Sequence, residues 1–219
     1  MKKLDTSGRF AERVLRGVDD TGVDEHIVFW IERKPGAVWA VGRAVNPQHR
    51  ASDAPRPDDY VFEGFELDDC LDAANSALEA GGGVCGAIFR AAGPGLAEAC
   101  RAAGRCPTGD ARATPGFALP ARWIIHAVGP VWHGGGEGEP DLLASAYRRS
   151  LEVADELGAR SVAFPAISTG IFGYPLEPAT AIAVETARTT DTQVELVRFV
   201  CFDAATLAAY EQQLSAAER

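Results

Sequence analysis

From Val61 onward the chain alternates short apolar runs with amphipathic stretches, and this alternation constrains the fold more than any other feature. Brief apolar runs separated by helix-period segments are the mark of an α/β sheet with helices packed on its faces. Residues 122–128, 161–166 and 194–202 read as strands. Residues 84–101, 141–157, 177–189 and 204–214 read as helices. Within 141–157, Leu142, Leu143, Ala146, Leu151 and Ala154 recur near helical spacing, and Gly158 stands where a helix C-cap belongs.

The first 60 residues are patterned differently. Residues 26–31 and 38–45 are β-rich, and Lys34-Pro35-Gly36 between them is turn chemistry, which predicts a β-hairpin. Apolar residues fall on both faces, Ile27, Phe29 and Ile31 against Val28 and Trp30, so the hairpin is expected to be covered on both sides. Residues 46–59 are rich in Pro, Asp and Arg and read as a linker. The expected division is therefore an extension over 1–60 and one domain over 61–219.

Composition removes several functional classes. The formal net charge of −10 repels phosphate backbones and argues against general nucleic-acid binding. It leaves room for a small anion, because a local cradle of backbone N–H groups can outweigh the global field. No apolar run approaches the roughly 18 residues that would suggest a membrane span, so no membrane association is expected. Five scattered cysteines, Cys70, Cys85, Cys100, Cys106 and Cys201, favour a reduced, cytoplasmic setting. His26, His49, His126 and His133 show no ligand spacing, so neither a metal nor another cofactor is expected.

Two Gly-rich loops remain. One is Gly81-Gly82-Gly83-Val84-Cys85-Gly86, opening a helix; the other runs from Ile167 to Pro175 after a strand. Ligands in open α/β sheets sit beyond the carboxyl ends of strands. Glycine lets backbone N–H groups approach a phosphate, and a helix N-terminus adds a favourable dipole. The loops read equally as a diphosphate cradle or as plain turns.

The surrounding motifs resemble a known family. Ala73-Ala74-Asn75-Ser76-Ala77-Leu78, the Gly81–Val84 run and Arg90-Ala91-Ala92-Gly93-Pro94 look like the catalytic-loop region of MacroD-type macrodomains, of the Appr-1″-p processing family. Cys106-Pro107-Thr108-Gly109, the 119–130 stretch containing Trp123-Ile124-Ile125-His126 and the 164–175 stretch match it in order and spacing. The resemblance covers roughly residues 70–203 and does not reach the first 60. It implies a three-layer α/β/α domain with a mixed central sheet, to which the hairpin is an addition. It also implies binding of ADP-ribose or an ADP-ribosylated macromolecule, and hydrolysis of mono-ADP-ribosyl modifications or O-acetyl-ADP-ribose. By motif, Ala74 and Asn75 would lie at the distal ribose, with Gly81, Gly82, Gly83 and Val84 shaping the loop over it. Ser168, Thr169, Gly170, Ile171, Phe172, Gly173 and Tyr174 would wrap the diphosphate, with Phe172 also against the distal ribose; Phe202 and Asp203 would lie near the adenosine.

Three positions depart from the family pattern. The family's Asn-Ala-Ala-Asn is Asp72-Ala73-Ala74-Asn75 here, after Asp68 and Asp69. Aspartates suit a buried strand poorly. The same stretch also fits an amphipathic helix, with Leu67, Cys70, Leu71, Ala74 and Leu78 on one face. The register from Asn75 to Gly81 favours the strand. Second, the family's acidic residue after Gly-Gly-Gly-Val is Cys85, and its following histidine is Phe89. A thiol is a poor general base at neutral pH, and on its own Cys85 reads as a small residue packed at a helix start. With Asn75 it nevertheless occupies the catalytic position, and the resemblance implies that Cys85→Asp would raise the rate. Third, Val61 stands where the family carries an adenine-contacting Asp, which Asp58, Asp59 or Glu63 would have to replace. The alternative to a hydrolase is a module that reads ADP-ribose without turning it over.

Overall fold

The computed structural model describes residues 27–34, 38–45, 69–119, 121–201 and 203–217. Its strands are β1 (Ile27–Lys34), β2 (Val38–Val45), β3 (Asp69–Ala73), β4 (Ala111–Pro115), β5 (Trp123–Ala127), β6 (Ser161–Pro165) and β7 (Leu196–Cys201). Its helices are α1 (Gly83–Ala92), α2 (Gly95–Ala103), α3 (Glu139–Glu156), α4 (Leu176–Thr189) and α5 (Ala204–Ala217). The strands form one sheet in the order β2-β1-β7-β6-β3-β5-β4. The pairings β7–β6, β6–β3 and β3–β5 are parallel, while β2–β1, β1–β7 and β4–β5 are antiparallel. The expected mixed α/β sheet is what forms.

Apolar residues divide between the two faces by strand alternation. On β5, Ile125 joins a core with Leu143, Tyr147 and Leu151 of α3, Ala183 of α4 and Tyr210 of α5. Its neighbour Ile124 points the other way, into a core with Ile88 of α1 and Leu96 of α2. Helices therefore cover both faces, giving three layers.

The hairpin is continuous with this sheet, since β1 pairs with β7: Phe29 lies opposite Cys201 and Arg33 opposite Val197. Its turn at 35–37 and its side chains lie outside the described residues, as does the 46–59 linker.

The aspartate-bearing segment is a strand at 69–73, as the register from Asn75 to Gly81 favoured. Two other features differ from the sequence expectation. The helix expected over 84–101 is two helices, because Gly93 turns at φ 85° and Pro94 lacks the N–H that would continue the ladder. β4 had no strand signature: Ala-Arg-Ala-Thr-Pro is short and weakly apolar and ends in a proline, which an edge strand tolerates.

Candidate functional site

The four parallel strands β7, β6, β3 and β5 end at the same edge of the sheet. Their outgoing segments are therefore neighbours: Asp203 after β7, the 166–175 loop after β6, the 74–82 loop after β3, and Val128 to Gly138 after β5. Topology alone thus brings together the segments that the sequence singled out.

The 168–174 loop is closed by its own backbone. Gly173 N–H donates to the Gly170 carbonyl at 3.0 Å, and Tyr174 N–H to the Ser168 carbonyl at 3.0 Å. Thr169 is used internally, its N–H and hydroxyl both donating to the Ala166 carbonyl. The N–H groups of Gly170, Ile171 and Phe172, three in a row, have no acceptor among the described residues. Such a run is an anion-binding concavity, and the first turn of α4 just beyond adds its dipole. Gly173 takes a left-handed φ of 69°, and Ser168 does so at 66° despite its side chain. Ser168 is packed so tightly against Gly129 that a Cβ on that glycine would strike its Oγ. Backbone strain of this kind persists only where surrounding structure enforces it.

The loop is propped from the β5 side. Trp132 N–H donates to the Phe172 carbonyl at 2.9 Å, and the Trp132 ring lies 4.5 Å from that of Tyr174. Tyr174 is buried and supports the loop from below; Ile171 stands 85% exposed at its tip, and Phe172 is half-buried between them. The segment carrying Trp132 is organised by one side chain. The buried Glu139 carboxylate accepts N–H bonds from His133, Gly135 and Glu137 at 3.0, 3.1 and 2.6 Å. Backbone N–H groups hold its carboxyl at about 2, well below the usual range.

The 74–85 segment is held by side chains. Asn75 Oδ1 accepts from Ala77 and Glu79 N–H at 3.0 and 3.3 Å, and one Nδ2 hydrogen goes to the Glu79 carbonyl at 2.6 Å. The second Nδ2 hydrogen is left for another partner. Leu78, buried with φ 55°, is this segment's own strained residue. A Cβ on Gly81 would lie 3.8 Å from both Asn75 Nδ2 and Cys85 Sγ, so these three residues converge. Gly82 and Gly83 have open space beside them, whereas Gly86 passes close enough that a Cβ would come within 2.5 Å of the Gly81 carbonyl oxygen. Ala74 is buried and Val84 half-buried at the margins.

Beneath lies a buried polar cluster of Asp72, His126, Thr114 and Cys100. Asp72 and His126 pair in register on β3 and β5, and both are 0% exposed. His126 Nδ1 meets Asp72 Oδ2 at 2.9 Å, and its Nε2 meets Thr114 Oγ1 at 2.9 Å and Cys100 Sγ at 3.6 Å. Burial alone would lower the imidazole pKa; the hydrogen bonds to Asp72 and Cys100 overturn this and carry it to about 9. Cys85 donates from Sγ toward Asp72 Oδ2 at 3.6 Å. Burial first, then the Asp72 charge, pushes its thiol up to about 12, so it is no thiolate at neutral pH. From the sequence, His126 reads only as a core or surface histidine without ligand spacing. Its partner could have been found by asking what neutralises an aspartate in an apolar strand, since His126 is the ionisable residue on the adjacent apolar run.

The remaining candidates fall at the margin. Asp203 lies at the end of β7, where its Oδ1 accepts Thr206 N–H at 2.7 Å and caps α5. Phe202, Asp58, Asp59, Val61 and Glu63 lie outside the described residues. Among the described residues, no group of three His, Cys, Asp or Glu side chains is arranged to hold a metal.

The Macro domain family model matches residues 71–183. A macro domain-containing protein of Chlorobaculum tepidum is 54% identical over 153 residues, covering 68% of this chain and 89% of that protein. Another, from Ralstonia nicotianae, is 55% identical over 150 residues, covering 68% and 88%. Among solved structures, an Oceanobacillus iheyensis macrodomain variant with ADPR superposes with a TM-score of 0.66 at 37% identity, over 70% of this chain and 88% of that one. The Trypanosoma brucei macrodomain in complex with ADP-ribose gives a TM-score of 0.62 at 40% identity, over 67% of this chain and 63% of that one.

Proposed function

Because this chain belongs to the macro domain family, we propose that the edge formed by its four parallel strands binds ADP-ribose and slowly hydrolyses ADP-ribosyl esters or glycosides. The observation carrying the reading is the row of unengaged N–H groups at Gly170, Ile171 and Phe172, in the loop after β6, the strand beside the one that leads into Asn75. The diphosphate rests on that row. The distal ribose lies over Gly81, Cys85 and Asn75, whose spare Nδ2 hydrogen orients it. Phe172 borders the ribose, and the adenosine end runs toward Asp203. Solved relatives carrying ADPR and ADP-ribose support this ligand.

The chemistry follows from what the pocket lacks. Cys85 is held as a neutral thiol and cannot take a proton from water. Water is therefore activated by the substrate's own phosphate, while the fixed N–H groups and Asn75 supply positioning. The reaction is expected to be slow, since general-base assistance is worth on the order of a hundred- to ten-thousand-fold.

Calorimetric titration with ADP-ribose tests the binding, with a dissociation constant in the micromolar range expected. No heat and no thermal shift at millimolar ligand would end the reading. Release of ADP-ribose from a mono-ADP-ribosylated protein and from O-acetyl-ADP-ribose tests the chemistry. The locked thiol and Phe89 favour a second reading, a module that holds ADP-ribose without cleaving it. Tight binding with no release from any substrate would establish that one.

A further inference from the structure

Asp72 Oδ2 is shared between two partners. His126 Nδ1 approaches from β5 at 2.9 Å, and Cys85 Sγ from the first turn of α1 at 3.6 Å. A Cβ on Gly81 would lie 3.8 Å from this sulfur and 3.8 Å from Asn75 Nδ2. A line of contact therefore runs from a fully buried carboxylate, through the sulfur, to the floor on which the distal ribose is placed above. The imidazole at its far end is fixed by Thr114 and Cys100 and cannot swing away without leaving them unpaired.

The geometry points to Asp72 as a positioning residue of this site, coupled to Cys85 so that the carboxylate beneath the distal ribose stands at 72 and position 85 must stay neutral. This rests on the proposed ADP-ribose site. The physical reason is charge. An aspartate at 85 would place its Cγ near the present sulfur, with its oxygens about 1.2 Å further out. Two carboxylates would then share one buried space served by a single imidazole. Both cannot ionise there, so one keeps a proton. The new acid is then either protonated and useless as a base, or ionised at the expense of the Asp72–His126 pair. Asp72 already disfavours a thiolate at 85, which adds to burial in holding the thiol proton on. Asparagine at 72 removes the conflict: its carbonyl oxygen accepts from His126 and its amide donates to a carboxylate at 85.

The test is a double-mutant cycle on the full chain with Asp72→Asn and Cys85→Asp, reading thermal midpoint, kcat and ADP-ribose affinity. Cys85→Asp alone is expected to lower the midpoint by roughly 5 °C and to leave kcat unimproved. The double variant is expected to recover most of that midpoint and to exceed wild-type kcat by at least about tenfold, with affinity within about threefold. A kcat change without an affinity change is what a merely structural role would not produce. If Cys85→Asp alone is as stable and as fast as the double variant, the coupling does not exist. If no variant hydrolyses anything, the midpoints decide: non-additive values uphold the coupling and additive values overturn it. Failure of the proposed function itself would appear separately, as absence of ADP-ribose binding by the wild type.

Discussion

The 168–174 loop leaves a row of backbone N–H groups open, whereas the 74–85 segment is held by side chains, one of which rests on the buried Asp72–His126 pair. In the first, donors are peptide N–H groups and the side chains Ser168, Trp132 and Tyr174 only hold the shape. In the second, Asn75 ties the segment to itself through Ala77 and Glu79, and Cys85 donates toward Asp72, which pairs with His126. Backbone recognition survives most substitutions, because every residue except proline brings an N–H. A site made of side chains changes character when one of them changes. On the proposed function, that difference accounts for an intact 168–174 loop beside a segment in which Asp72, Cys85 and Phe89 depart from the family pattern.

Four measurements would break or sharpen this contrast. The largest effect is expected from Gly170→Glu. A Cβ there meets nothing within 4 Å and Gly170 is not left-handed, so the variant should fold normally. Its carboxylate would nevertheless repel a diphosphate, and affinity should fall by more than about a hundredfold by calorimetry. Unchanged affinity would place the phosphates elsewhere. Asn75→Ala should separate the two regions, lowering kcat by about ten- to a hundredfold while affinity falls by less than about tenfold. Wild-type turnover in that variant would show that the side-chain half takes no part in the chemistry.

A pH titration probes the buried charge. The folded His126 pKa, about 9, lies above its ordinary value of 6.5. Its contribution to stability is therefore complete below about pH 6.5 and is lost as pH rises through about 9. The groups facing it are Asp72, Cys100, Thr114 and the Phe89 ring, 6.5 Å away, with Cys85 on the far side of Asp72. The thermal midpoint should drop by a few degrees across that window, and Asp72→Asn should flatten the drop. An identical slope in the variant would mean the pair carries no charge. The smallest effect is expected from Glu139→Gln, which keeps one acceptor for three N–H groups. Affinity should weaken by only about two- to fivefold, since the phosphate loop loses a prop and no donor. A hundredfold loss would mean that the backbone loop leans on side chains as heavily as its neighbour does.

The contrast also decides what could be read in advance. Strands 123–127 and 161–165 and helix 139–156 followed from apolar period, and the 167–175 segment read as a loop from its glycines and its place after a strand. The 69–73 strand was legible only through family resemblance, because the charge of Asp72 breaks the apolar pattern and is neutralised by a residue 54 positions away. Long-range pairing of that kind leaves no local trace. β4 was silent for the opposite reason: an edge strand is stabilised by one neighbour and needs little apolar character of its own.

The hairpin's pairing with β7 has a consequence for association between molecules. Without β1, the outer side of β7 would be a row of unpaired N–H and C=O groups on a strand reading Leu-Val-Arg-Phe-Val-Cys. Such an edge is a template for a strand from another copy. The hairpin hands that hazard to β2, whose sequence, Val-Trp-Ala-Val-Gly-Arg-Ala-Val, carries a glycine and a charge within it. Glycine weakens a strand, and charge disfavours edge-to-edge growth. A chain cut between β2 and β3 should therefore lose solubility before it loses its ligand.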